Sequence, residues 1–448
     1  MVFFRDSAWL IIKFIGVVLT ASWLSLAAFS AHAINKHAIN NTVINKNAVG
    51  LKNLASSQSA ESSKNHVVLI SLDGFRHDYI ELHNAKNLAR IAKAGVRSRS
   101  LTPVYPANTF PNHISIVTGL LPIHHGIVDN RFHDKLRPSK EGSYAQYSMG
   151  KAQGDSSWIT AMPLWHLAEF QGHKAATYFW PESDARIAGA LPTYLYHYSK
   201  HADYQQRVDQ IVQWLSLPEA ARPLFVSGYF SLTDTVGHDE GPMSEKTKEA
   251  VAKVDKLIGQ LYDRLNALSI DVNLVVVSDH GMTNVADSHQ IMVESLNIAD
   301  DFTVLNNGAQ VRLYAKPEVT HEQIEDEKNR LRVLAEGKFI VLNSVERDVR
   351  HSQYNARTGD IIMETAPPAR FKSEGDTHVS KGSHGYLNTL PDMGGLFVAS
   401  GPSFKQGKIL PTFSNLEIYP ALAEVMGLAL LAPIDGEVKV LREGLKEQ

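Results

Sequence analysis

The stretch "VVLISLDG", Val67 to Gly74, is a short apolar run that ends in Asp-Gly. A run without polar alternation is what a strand buried on both faces looks like, and Asp-Gly marks the turn at its end. The pattern returns twice: "RPLFVSGYFSLTD" ends at Asp234, and "VNLVVVSDHGM" passes through Asp279. Between these two lies "SEKTKEAVAKVDKLIGQLYDRLNAL", with the apolar spacing of a long amphipathic helix. Earlier, "AKNLARIAKAGV" reads as a helix stopped at Gly95. Strands alternating with helices predict an α/β fold, a mostly parallel central sheet covered on both faces. Ligands of such sheets bind beyond the carboxyl ends of the strands. Asp73, Asp234 and Asp279 all fall there.

The rest of the chain fits around that core. Its 448 residues are 44% hydrophobic and 20% charged, enough to bury a sizeable interior. A net charge of −3 and no strong basic run argue against a nucleic-acid polymer as partner. At the N-terminus, Arg5 and Lys13 precede an apolar stretch closed by "AHA" at Ala31 to Ala33. That reads as an export signal over residues 1–33, the alternative being an uncleaved membrane anchor, and once cleaved it leaves no stable membrane span. Residues 34–65 are rich in Asn, Ser and Lys and read as a flexible linker. Cysteine is absent, so stability rests on the core and on metals rather than disulfides. Over about 287–381 the strand-helix alternation stops and a charged helix, "EVTHEQIEDEKNRLRVLAEG", appears. This segment reads as a cap inserted over the sheet edge, within a catalytic domain spanning 66–448. The tail returns to the sheet with "GGLFVASGPSF" and a final helix in "NLEIYPALAEVMGL".

Chemistry gathers at the strand ends. In "VYPANTFPNHISIVTG", Val104 to Gly119, Thr109 stands just before Pro111 and the run Ile114, Ile116, Val117. That predicts a helix start with Thr109 as its cap. The same position aims a hydroxyl at any anion held by the helix N-terminus. "TDTVGH" sets Asp234 and His238 on one face of a helical turn, "SDHGM" sets Asp279 beside His280, and "KGSHGYLN" places His384 between loop glycines. Singly, each Asp is an ordinary turn former and each His an ordinary core or surface residue. Together, Asp73, Asp234, Asp279, His238, His280 and His384 form a nitrogen and oxygen ligand set suited to zinc and tolerable for manganese. They are too many for one tetrahedral ion and fit two. Two metals roughly 3.5–4 Å apart are the usual device for phosphoryl or sulfuryl displacement.

The ordered set "LDGFR", "NTFPNH", "GIVDNRF", "TDTVGH", "SDHGM" and "SHGY" resembles the nucleotide pyrophosphatase/phosphodiesterase family of the alkaline phosphatase superfamily. The likeness runs through nearly all the chain after residue 65 and implies an alkaline-phosphatase-like α/β/α sandwich. It implies one divalent ion, zinc by preference, on Asp73, Thr109, Asp279 and His280, and a second on Asp234, His238 and His384. Thr109 would be the nucleophile of a covalent phosphothreonine intermediate, and Asn130 the amide that binds a phosphoryl oxygen beside the Phe110 N–H. Phe110 and Tyr229 match aromatic positions flanking the substrate, while Trp180 and Glu182 in "YFWPES" serve as wall and turn. The neutral amide at Asn130 suits a singly charged diester better than a monoester dianion. The implied substrate is a small phosphodiester or nucleotide, and the implied location is periplasmic or secreted. A sulfatase is excluded, because "TFPNH" lacks the Cys or Ser and the Arg of that motif. A threonine-type phosphomonoesterase or phosphonoacetate hydrolase shares most ligands and would need a cation to grip its monoester, with Arg131 or Arg186 as candidates. A non-catalytic metal-binding surface protein is the remaining alternative.

Overall fold

The computed structural model describes residues 65–139, 144–377 and 380–447. The expected signal peptide, and all of the expected linker but Asn65, lie outside them. The first strand is β1 (His66–Leu72), followed by helix α1 (Lys86–Ala94), β2 (Val96–Ser98) and α2 (Thr109–Thr118). Next come β3 (Lys174–Tyr178), β4 (Tyr194–Tyr196), α3 (Tyr204–Leu215), β5 (Pro223–Phe230), α4 (Leu232–Glu240), α5 (Glu245–Asn266) and β6 (Val272–Val277). The chain then leaves the sheet for β7 (Phe302–Asn306), β8 (Gln310–Ala315), α6 (His321–Leu334), β9 (Phe339–Val341) and β10 (Ile361–Thr365). It returns with β11 (Phe397–Ser400), β12 (Lys408–Leu410) and α7 (Ile418–Val425).

The central sheet has eight strands in the order β12-β2-β11-β6-β1-β5-β3-β4. Strand β1 is parallel to both neighbours, with Val67 opposite Phe225 and Asn273. Only β11 runs against its neighbours, so the sheet is mostly parallel. Every residue of β1, β5 and β6 is buried, which is why these runs lack polar alternation. The pleat splits β1 between two cores. Val67 and Leu69 pack with Ile114 and Ile116 of α2 and Ile418 and Leu422 of α7. Val68, Ile70 and Leu72 pack with Leu88 of α1, Ile211 of α3 and Val254 and Ile258 of α5. These are the three layers of an alkaline-phosphatase-like sandwich.

The excursion folds as a second, antiparallel sheet in the order β7-β8-β10-β9. It has its own core, in which Val311, Leu313, Ile361 and Met363 meet Leu331 of α6 and Phe339. Helix α6 opens with a capping box between Thr320 and Gln323. The loop before β10 reaches the antiparallel pair Arg131–Pro138 and Tyr144–Ser148: Lys135 bonds Asp360, and Arg357 bonds Asp134.

One local expectation changes. Thr109 does not cap α2; it is the first helical residue, and Asn108 holds the cap position in extended conformation. Asn108 makes no capping bond either, because its Nδ2 donates to Asp129 Oδ1 at 2.7 Å. The Thr109 hydroxyl is therefore not spent on the helix backbone.

Candidate active site

The sequence-predicted residues meet at the carboxyl ends of β1, β5 and β6. Asp73 follows β1, Asp234 and His238 sit one turn apart on α4, and Asp279 and His280 follow β6. Gly74 permits the approach: its φ is +65°, and a Cβ there would lie 2.9 Å from the Asp234 Cα. His384 comes from the loop before β11, where Gly385 packs so closely that a Cβ would lie 2.5 Å from Asn108 Oδ1.

Three buried carboxylate oxygens, Asp73 Oδ1, Asp234 Oδ1 and Asp279 Oδ2, have no hydrogen-bond partner. Facing them are three imidazole nitrogens. His280 Nε2 is 3.0 Å from Asp279 Oδ2 and 3.6 Å from Asp73 Oδ1. His238 Nε2 and His384 Nε2 are 3.4 and 3.5 Å from Asp234 Oδ1. Each ring's other nitrogen is already committed: Nδ1 of His238, His280 and His384 donates to the carbonyls of Gly382, Gly281 and Ala107. A ring held this way turns Nε2 inward, the arrangement that backbone carbonyls impose on metal-ligating histidines. Nitrogen lone pairs facing carboxylates repel unless a proton or a metal cation lies between them. Asp73, Asp279 and His280, and Asp234, His280 and His384, each bring ligand atoms within 4.8 Å of one another. Imidazole and carboxylate without thiolate is a donor set that zinc accepts, so these residues fit the group the resemblance implies.

The electrostatics agree. Burial, then the charges of Asp279 and Asp234, push the Asp73 carboxyl well above the usual range. Burial, then the neighbouring His280 and His238, holds His384 well below a normal histidine. Burial opposes charge on Asp279 too, but His280 and His113 outweigh it and keep that carboxyl low. Burial opposes charge on His280 as well, but Asp279 outweighs it and raises that ring's pKa, so carboxylates and imidazoles compete for charge at a point able to receive a cation.

Thr109 Oγ1 lies 3.3 Å from His280 Nε2, at the edge of the cluster and at the N-terminus of α2. His113, one turn on, donates Nδ1–H to the Thr109 carbonyl at 2.8 Å and accepts from the Ser71 hydroxyl at 2.8 Å. Burial keeps its ring below the normal histidine pKa. Asn130 Oδ1 accepts from the Phe110 N–H at 2.8 Å, so Asn130 sits against the first turn of α2. Tyr229 donates its hydroxyl to Asp73 Oδ2. Trp180 donates Nε1–H to the His113 carbonyl. Glu182 accepts from the Tyr147 hydroxyl and the Gly150 N–H, and burial raises its pKa to about 7.

Two cavities flank the cluster. One, about 480 Å³, is lined by Thr109 and Asp73 together with Phe110, Phe179, Trp180, Tyr196, Tyr198 and Tyr229. The other, about 600 Å³, is polar and touches Asn130, His238 and His384. Arg131 lies on its wall, whereas Arg186 is exposed and lines neither. Sequence reasoning passed over Tyr196 and Tyr198, although "YLYHYS" alternates tyrosines as one face of an extended segment would. It also passed over His113, whose signal was only its place one helical turn after Thr109.

The chain matches the type I phosphodiesterase / nucleotide pyrophosphatase family over residues 67–387. It belongs to that family. Mouse ectonucleotide pyrophosphatase/phosphodiesterase family member 3 is 31% identical over 385 residues, covering 80% of this chain and 42% of the mouse protein. Venom phosphodiesterase 2 of Crotalus adamanteus is 32% identical over 374 residues, covering 81% of this chain and 45% of the venom protein. This family member therefore spans less than half the length of either relative. Among solved structures, murine ectonucleotide pyrophosphatase/phosphodiesterase 5, as an inactive threonine-to-alanine variant in complex with AMP, superposes with a TM-score of 0.78. At 26% identity that match covers 86% of this chain and all of the murine one. No helix among the described residues is long and apolar enough to cross a membrane.

Proposed function

We propose that this protein is an exported, metal-dependent phosphodiesterase that cleaves phosphodiester or pyrophosphate bonds of small nucleotides or related esters. The observation that carries the reading is the set of three unpartnered carboxylate oxygens facing three histidine Nε2 atoms beside the Thr109 hydroxyl. Asp73, Thr109, Asp279 and His280 would hold one divalent ion and Asp234, His238 and His384 the other, zinc by ligand type. Two such ions supply positive charge against the nucleophile and the leaving oxygen.

The protein's own groups do the rest. Thr109 Oγ bonds to phosphorus while the bond to the leaving oxygen breaks and its electron pair departs with that oxygen. Water then cleaves the threonyl phosphate and returns the hydroxyl. The N–H groups that open α2 set partial positive charge beside the phosphoryl oxygens. Asn130, exchanging its contact with the Phe110 N–H, donates an amide N–H to one of those oxygens. The aromatic cavity stacks a base or aryl ring between Phe110 and its tyrosines, worth about 1–3 kcal/mol. Support also comes from the relatives: one is a venom phosphodiesterase, and the murine structure pairs an inactivating threonine-to-alanine change with bound AMP. Export rests on the N-terminal signal pattern and on relatives described as ectoenzymes or venom components.

The test is hydrolysis of bis-p-nitrophenyl phosphate against p-nitrophenyl phosphate, before and after chelation, with Thr109→Ala alongside. A diester preference lost on chelation and in the variant is expected. A monoester preference with the same losses would move the protein to the phosphatase branch and overturn the argument from Asn130.

A further inference from the structure

The turn "YFWPES", Tyr178 to Ser183, forms one wall of the aromatic cavity. Phe179 and Glu182 both sit in the left-handed backbone region, at φ +66° and +59°. An L-residue there works against its own Cβ, and such strain collects where a ligand is gripped. The turn is held in that shape at two points. Trp180 donates Nε1–H to the His113 carbonyl of α2, the helix that begins with Thr109. Glu182 Oε1 accepts from the Tyr147 hydroxyl, the Gly150 N–H at 3.1 Å and the Ala152 N–H at 3.4 Å. The turn is thus tied to the nucleophile's helix on one side and to residues 147–152 on the other.

The second oxygen of Glu182 has no such employment. The residue is 3% exposed, and its Oε2 is buried without a hydrogen-bond partner. A buried carboxylate oxygen left unpaired is costly, and no protein group offsets it here. Its neighbours on that wall, Asp184 and Gln153, are already engaged. His197 Nδ1 bonds Asp184 Oδ2 at 3.1 Å, and Gln153 Nε2 lies 3.0 Å from the same nitrogen. Glu182 lines the same cavity as Thr109, Phe110 and Tyr198. A ring stacked by its faces on aromatic side chains meets the remaining walls with its edge, where a base carries its hydrogen-bonding groups.

We infer that Glu182 Oε2 accepts a hydrogen bond from the exocyclic amino group of a base stacked in the aromatic cavity, so that the enzyme selects adenine over purines without that group. The inference rests on the phosphodiesterase reading and assigns a specificity-determining residue at the same site. A hydrogen bond to a carboxylate is among the stronger ones. A buried site built to receive a donor discriminates sharply against a ring that lacks it, because its acceptor is then left unpaired.

The experiment compares two substrates that differ in that group alone: the p-nitrophenyl esters of adenosine 5′-monophosphate and of purine riboside 5′-monophosphate, which has hydrogen in place of the amino group. Both release p-nitrophenolate. The readout is the ratio of their kcat/KM values, which does not depend on how much of a variant is folded. Burial raises the Glu182 pKa to about 7, so the assays run on the alkaline side of that value, where the carboxylate accepts. The wild type is expected to favour the adenosine ester about tenfold or more. Glu182→Gln keeps an oxygen for the three donors and sets an amide NH2 in place of Oε2, and is expected to abolish or reverse the preference. Glu182→Gly, at ease in left-handed backbone, is expected to abolish it as well. A wild type that cleaves both esters equally overturns the assignment, as does a preference that survives both substitutions. Either result leaves the phosphodiesterase reading standing. Hydrolysis of neither ester while bis-p-nitrophenyl phosphate is cleaved removes this assignment alone, and hydrolysis of none of the three removes both.

Discussion

Tyr229 illustrates how much rests on single atoms. Its ring lines the aromatic cavity, while its hydroxyl donates to Asp73 Oδ2, the oxygen of Asp73 that does not face His280. The hydroxyl thus fixes which way the carboxylate turns its free oxygen, and burial together with Asp73 keeps the phenol protonated. Tyr229→Phe retains the cavity wall and deletes only that donor. Metal affinity is expected to fall about 10–100-fold, the usual cost of losing such an outer partner. Competition with a chelator of known affinity checks it, and an unchanged affinity would make the hydroxyl a bystander. At this scale the proposed ligands were legible because Asp and His stand where strand patterns stop. The Tyr229 hydroxyl was not, because a tyrosine inside a fully apolar strand looks like core.

Strand β8 joins the second sheet to the site. Arg312 of β8, fully buried, donates Nε–H to Asp129 Oδ2 at 3.2 Å and reaches the Thr358 carbonyl and Gln310 Oε1. Asp129 Oδ1 in turn accepts from Asn108 Nδ2 and from the Asn130 N–H. Gln310, two residues along the same strand, donates to the Gly385 carbonyl next to His384. Arg312→Ala would leave the buried Asp129 charge without its cation, a loss of about 3–5 kcal/mol in unfolding free energy. Diester turnover is expected to fall with it as Asn108 and Asn130 lose their anchor. Restoring balance with Asp129→Asn in the same chain should recover most of the stability, and a double-mutant cycle by urea unfolding measures it. Additive losses would show that the pair is not coupled. Elements of the central sheet were readable because both of their faces are buried and their helices carry a clear period. The start of α2 was misjudged by one residue because Asn108 turns to Asp129, a partner 21 residues away that no local capping rule contains.

Across the whole molecule, the site is a junction of five chain segments that meet only in three dimensions: Asp73, Thr109, the Asp234–His238 turn, Asp279–His280 and His384. Three of its carboxylate oxygens have no protein partner, and burial plus mutual repulsion already works against the ionised Asp73. Folding without cations therefore concentrates negative charge at the carboxyl ends of β1, β5 and β6, and no disulfide compensates. Cations that bind only the folded chain stabilise it by mass action, about 4 kcal/mol at a thousandfold excess over Kd. Chelation is expected to lower the Tm by roughly 5–15 °C for a domain of this size. Asp73→Asn separates repulsion from general damage. The variant should lose most of the metal-dependent gain, yet in chelator it should melt above the chelated wild type, because one of the facing charges is gone. Differential scanning calorimetry of both proteins with and without chelator reads the crossover. A variant that melts lower than wild type in both conditions would mean that Asp73 supports the fold by its hydrogen bond to Tyr229 rather than opposing it by its charge.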